Sequence, residues 1–266
     1  MKTFRIHDTP KGGFFSDFRA TLSAVSELKK QGHKCNIHWS NYLFQSEAKE
    51  NIWEVFFHQI DEIDSGDEVL DIRGNPLPRE YSTRTTIHDT IEKYVRVNKN
   101  IQEEVDSFVE KNFTKNTVGV HLRLTDKAVC HIKYGEPETG TPVDLELYKT
   151  HIEEYLNSNE DSSVFLATDS KIGLNFMKSA FGEKVHFIED NIRSDGEESV
   201  HVDMGGNGIE KAKNVLMDCL LLSKCNYMIK GISNVALCAL FFNKDLKSFN
   251  LNSHYKNDTR EDFVNG

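Results

Sequence analysis

The sequence predicts an α/β protein of two domains built on parallel sheets, and three observations carry that expectation. Its 266 residues exceed one domain of ordinary size and suffice for two, each with its own core. Apolar stretches of strand length alternate with stretches of helical period, most regularly after residue 115. The composition, 38% hydrophobic and 28% charged, is that of a globular chain rather than a disordered one.

In chain order, a short strand at residues 3–6 leads into the polar turn HDTPKGG. A helix over 16–30 follows, because Phe18, Leu22, Val25 and Leu28 recur at spacings of four and three and form one apolar stripe. Gly32 stands where a helix terminator belongs, and 35–39 reads as a second strand. Strand, glycine turn, helix and strand make a βαβ unit with a right-handed crossover. The apolar pieces IWEVFF and VLDI complete the first domain, and helices are predicted over 86–97 and 101–113. A boundary near residue 115 gives domains 1–115 and 116–266.

The second domain alternates more cleanly. VGVHLRL is a strand, 144–156 a helix, SVFLATD a strand, 172–181 a helix and KVHFIED a strand. A polar, glycine-rich loop spans 191–208. Then come a helix over 209–223, the strand NYMIKG, a helix over 233–242 and a short strand KSFNL. Such alternation gives a parallel sheet with helices on both faces, so two Rossmann-like domains facing a cleft are expected.

Charge and cysteine usage narrow the functions. The formal net charge is −10 and the pI near 5.6, which argues against a general nucleic-acid binder, since neutralising phosphates needs a basic face. The N-terminus lacks a signal-peptide apolar region, and no apolar run approaches the roughly 20 residues of a membrane span. Five scattered cysteines, with no CxxC pair, predict neither a disulfide framework nor a zinc site and fit a reducing, cytoplasmic setting. No metal is expected.

The chemistry concentrates in residues 118–127, VGVHLRLTDK. Alternation along a strand puts Val118, Val120, Leu122 and Leu124 on one face and Gly119, His121, Arg123 and Thr125 on the other. The second set brings an imidazole and a guanidinium to the carboxyl end of a parallel strand, where open α/β sheets bind ligands. Arg123 is the candidate for a diphosphate, because a planar guanidinium makes paired charge-assisted bonds to phosphate oxygens. A surface arginine beside a strand is the alternative.

HLRLTDK resembles the HxRRTDK signature of the fucosyltransferase superfamily that includes the core α1,6-fucosyltransferases and the rhizobial nodulation fucosyltransferases. LYKTHIEEYL, VFLATDS and NVLMDCLLLSKCNYMI followed by GISN are similar to later family blocks, in the same order. The N-terminal GGFFSDF is similar to the glycine-rich first turn of these enzymes and of the protein O-fucosyltransferases. The resemblance covers residues 116–245 well and the first half thinly.

It implies a GT-B fold and an inverting, metal-independent enzyme that transfers fucose from GDP-fucose to a glycan, the nucleotide sugar being substrate rather than cofactor. By position, His121 would contact the nucleotide, Arg123 the β-phosphate and Asp218 the guanine base. Ser233 and Asn234 would contact the diphosphate at a helix N-terminus, a natural anion site. Capping that helix is the alternative for Ser233 and Asn234, a core histidine for His121 and a solvated helix residue for Asp218. Asp169 would either cap the next helix or touch ligand.

Backbone N–H groups of Gly12 and Gly13 would assist the leaving diphosphate from across the cleft, a plain turn being the alternative. Two positions depart from the family: its second motif arginine is Leu124 here, and its acceptor-activating glutamate is His131. The base therefore stays open among Asp17, Asp126, His131, Glu136 and Glu138, with Lys127 placed to steady a carboxylate or contact the acceptor. Competing readings are another donor such as UDP-xylose, or a non-catalytic nucleotide- or glycan-binding module. A Rossmann oxidoreductase is disfavoured because TPKGGFF is not GxGxxG.

Overall fold

The computed structural model describes residues 1–10, 12–45, 47–73, 83–125, 132–133, 136–137, 143–196, 200 and 207–252. The chain runs β1 (Thr3–His7), α1 (Phe14–Lys30), β2 (Lys34–His38), α2 (Ile52–Phe56), β3 (Val69–Arg73), α3 (Arg84–Tyr94) and α4 (Lys99–Asn112). It continues with β4 (Asn116–Leu122), β5 (Ile132–Lys133), β6 (Glu136–Pro137), α5 (Leu145–Ser158), β7 (Ser162–Thr168), α6 (Lys171–Phe181) and β8 (Val185–His186). The last elements are α7 (Gly208–Ser223), β9 (Tyr227–Lys230), α8 (Asn234–Phe242) and β10 (Lys247–Asn250).

Two parallel sheets result, one of order β2-β1-β3 and one of order β10-β9-β4-β7-β8. The expected β1–α1–β2 unit is present, with β1 and β2 pairing in parallel. Helix α1 starts two residues before its predicted first turn, so that Phe14 and Phe15 join the core. It ends where the sequence predicts: Gly32 adopts φ +76°, and the His33 and Gly32 N–H groups return to the carbonyls of Leu28 and Lys29, the Schellman arrangement that favours glycine. VLDI becomes β3, parallel to the other side of β1, while IWEVFF becomes the short α2, capped by Asn51.

The second sheet is wound on both sides. Val118, Val120, Leu122, Val164 and Leu166 pack with Tyr148 and Ile152 of α5 and Met177 of α6. On the opposite face Phe165, Ala167 and Met228 join a larger core that runs through α7 and α8 into α1 and the first sheet. Gly119 belongs to that side: a Cβ there would lie 2.9 Å from Cys225 Sγ and 3.0 Å from a Leu222 methyl. Only a residue without a side chain lets α7 approach.

The predicted strand KVHFIED is shortened to two residues. Val185 and His186 pair with β7, but Arg193 then draws the carbonyls of Ile188, Glu189 and Asn191 onto its guanidinium. Those carbonyls turn out of the ladder, and the chain leaves the sheet. The two halves share packing. Gly208, at the start of α7, sits so close to residues 43–45 that a Cβ would come within 2.7 Å of their backbone.

Candidate functional site

At the carboxyl ends of β4 and β7 a pocket opens against α7 and α8. Its lining includes His121, Arg123, Asp169, Asn191, Lys211 and Asp218 among polar residues, and Leu122, Ala167, Ile192, Val215 and Val235 among apolar ones. This is the position at which open parallel sheets take ligands. Of the predicted site residues, the structure brings His121, Arg123, Asp169 and Asp218 together here, with Ser233 beside them.

His121 is buried, and its Nε2 lies 3.5 Å from Ser233 Oγ. Burial, and then the charges of Arg123 and Lys230, push its pKa down to about 3, so the imidazole is neutral near pH 7. Its Nδ1 has no hydrogen-bond partner, a polar atom that burial leaves at a cost unless something polar reaches it. Tyr148 fixes the strand end by donating from its hydroxyl to the His121 carbonyl at 3.0 Å.

Arg123 follows β4 directly, with Nε 3.9 Å from Asp169 Oδ2. Asp169 has neither of its two predicted roles in pure form. Ser170 caps α6, accepting from the Gly173 N–H, while Asp169 accepts from the Leu124 N–H at 3.1 Å and the Thr125 hydroxyl at 2.7 Å. It braces the motif loop and lines the pocket at once. Leu124 packs at the border of the α5–α6 core.

Asp218 adds a second acidic group to the lining. Burial pushes the Asp218 carboxyl up to about 7, with Asp169 adding repulsion, while Arg193 and a hydrogen bond from Asn191 pull the other way. Asn191 Nδ2 donates to Asp218 Oδ1 at 3.0 Å. With its amide turned to satisfy both groups, Asn214 donates to Asn191 Oδ1 and accepts from the Ile192 N–H. Asp218 is thus held in a polar network and is not a solvated surface residue.

Ser233 does cap α8, accepting from the Val235 N–H at 3.1 Å. Asn234 reaches the other half of the protein, where its Oδ1 accepts from Arg19 of α1 at 2.6 Å.

The glycine turn differs from its expected role. Asp17 is buried at 3% exposure, and its carboxylate accepts from the Thr9 N–H at 3.1 Å and the Thr9 hydroxyl at 2.6 Å. Burial raises its pKa, opposed by the Thr9 and Asn41 bonds. This is a loop clamp, not a group facing an acceptor, because its oxygens already serve the turn. A Cβ on Gly12 would strike this clamp, 2.3 Å from Thr9 Oγ1, whereas one on Gly13 would meet open space. The Gly12 N–H points to the Thr9 carbonyl at 3.4 Å rather than across the cleft.

Asp126, Lys127, His131 and Glu138 lie outside the described residues, as does half of the 191–208 loop; Glu136 falls in β6. Among the described residues no group of three or more His, Cys, Asp or Glu gathers as a metal site. Among them too, no helix is long and apolar enough to cross a membrane. Sequence reasoning missed Arg19, Asn191, Arg193, Lys211, Asn214 and Lys230. Lys230 carried one usable signal, since it ends the NYMIKG strand beside His121.

Two parallel-sheet α/β units with a pocket at the strand ends of the second make a fold of the GT-B kind. The profile of the nodulation protein Z (NodZ) family matches residues 81–257, well over half the chain, and the protein belongs to that family. Solved structures agree in fold. A NodZ alpha-1,6-fucosyltransferase soaked with GDP-fucose superposes with TM-score 0.63 at 16% identity, over 91% of this chain and 93% of that one. The fucosyltransferase NodZ from Bradyrhizobium gives 0.59 at 17%, over 96% and 97%. POFUT1 in complex with GDP gives 0.59 at 13%, over 94% and 98%. No curated protein matches the sequence.

Proposed function

We propose that this protein transfers fucose from GDP-fucose to a hydroxyl of a glycan acceptor, with inversion and without a metal ion. The observation that carries the reading is the polarity of the pocket. Arg123, Asp218 and the neutral His121, which stands beside the N-terminus of α8, share its lining. A guanine offers two adjacent N–H donors to a carboxylate, and a diphosphate suits a guanidinium and free helix N–H groups. Val215, Val235 and Ile192 supply apolar walls.

In this reading the bond from the fucose anomeric carbon to the β-phosphate oxygen breaks, and its electron pair stays on GDP. Arg123 and the first turn of α8 stabilise that growing charge. The acceptor oxygen forms the new bond from the opposite face, which inverts the centre. Its proton passes to a base that we place in the stretch from Asp126 to Glu138. The division of labour is residues 116–266 for the donor and 1–115 for the acceptor side. Cys35, Cys219, Cys225 and Cys238 are buried free thiols, in keeping with a cytoplasmic setting.

The test is incubation of the protein with labelled GDP-fucose and a glycan panel, with and without chelator, reading labelled glycan and the anomeric configuration of the product. Chelator-insensitive transfer with inversion is expected. No transfer to any glycan, together with tight GDP binding, would instead indicate a non-catalytic binding module.

A further inference from the structure

From the first half, Arg19 holds the first residue of α8. It lies on α1 and donates from Nη1 to Asn234 Oδ1 at 2.6 Å. Three physical points give this contact more than a packing role. A guanidinium has five donors and no acceptor, so only the amide oxygen of Asn234 can face it. The two N–H donors of that amide are then turned away from Arg19, in a fixed orientation. The contact also brings a cation to the N-terminal end of a helix whose first turn holds no acidic residue, adding to the positive field there. Finally, the neighbouring residue Ser233 faces His121, whose buried Nδ1 is unpartnered. Donors and positive charge converge on this turn from both halves.

We propose that Arg19 is a positioning residue of the diphosphate site: from the first half it fixes the Asn234 amide with its N–H groups toward the phosphates and adds its own charge there. This rests on the reading that a nucleoside diphosphate occupies the pocket, but not on which base it carries. It also assigns the first half a share in donor binding and leaving-group departure.

The experiment is calorimetric titration of wild type, Arg19→Ala, Arg19→Lys, Asn234→Ala and the Arg19→Ala/Asn234→Ala double variant with GDP, guanosine and pyrophosphate. Arg19→Ala should weaken GDP and pyrophosphate about tenfold or more, the size of a lost charge-assisted bond, and leave guanosine within about twofold. Lysine should restore part of the loss, having the charge without the fork. The double variant should bind little worse than either single one, because coupled residues do not add. An unchanged GDP affinity in Arg19→Ala, an equal loss for guanosine, or multiplied losses in the double variant would each overturn the proposal. If wild type prefers UDP, the same ratio is taken with UDP and uridine; the guanine reading then fails while Arg19 is still judged. Failure of every nucleotide and of pyrophosphate to bind wild type would overturn both.

Discussion

Among the described residues, helices cover the second sheet on both faces and the first on one. In the first, Ile6, Cys35 and Ile37 face the core, while Arg5, His7 and Asp71 stand on the other side. There His7 Nε2 meets Asp71 Oδ1 at 2.6 Å and Arg5 lies 3.8 Å from the same oxygen. A strand buried on both faces has little freedom in register or reach, so β4 presents His121 and Arg123 in one arrangement. A sheet with a polar, open face tolerates change. On the proposed division of labour, that contrast fits a donor side shaped by one fixed ligand and an acceptor side free to vary, and it parallels the family match, which begins only at residue 81.

The comparison breaks first at Arg123. Arg123→Ala should lower kcat by about 100- to 1000-fold, the scale of a lost charge-stabilising donor, with little change in Tm, since the apolar contacts of β4 are untouched. Steady-state kinetics beside a melting curve checks this, and retained activity would remove Arg123 from the mechanism. Next in size, Gly119→Ala forces a Cβ against Cys225 and Leu222 and should destabilise by about 1–3 kcal/mol. Gly13→Ala, at φ −73° and ψ 150° with open space around it, should change stability by less than about 0.5 kcal/mol. Denaturant titration of both variants sharpens the contrast; equal losses would contradict it.

The smallest effect concerns protons. Asp218 has a carboxyl raised to about 7 by burial. Rising pH therefore ionises it in the unfolded chain first, and its contribution to stability falls between about pH 4 and pH 7. Ligand binding runs the other way. If a guanine is held by the carboxylate, GDP affinity should rise as pH increases through about 7 and then level off, up to tenfold per unit on the acid side. Asp218→Asn should flatten that profile and narrow the preference for GDP over UDP. A flat wild-type profile would argue against base recognition by Asp218.

Much of the donor side was legible in the sequence. Alternation along VGVHLRL put His121 and Arg123 on the pocket face, and the pattern of the last helix put Ser233 and Asn234 at its start. What escaped was set by contacts between distant residues. Asp17 looks like a cleft residue by its place in the first turn, but Thr9 and Asn41 close over it. Arg193 ends a strand by collecting three turn carbonyls, which no hydrophobic period records. Arg19 gains its importance from a residue 215 positions away. Asn191 and Asn214 are ordinary loop and helix residues until Asp218 gathers them into one network.

A thermal-shift panel of GDP, GDP-fucose, UDP, CDP and ADP decides whether the pocket of the second half takes a guanine nucleoside diphosphate. A ligand at one hundred times its dissociation constant adds about 2.7 kcal/mol of stability, well within reach of a melting curve. The account predicts a rise in Tm with GDP and GDP-fucose and little with the others at equal concentration. An equal or larger rise with UDP, or no rise with any nucleotide, would contradict it.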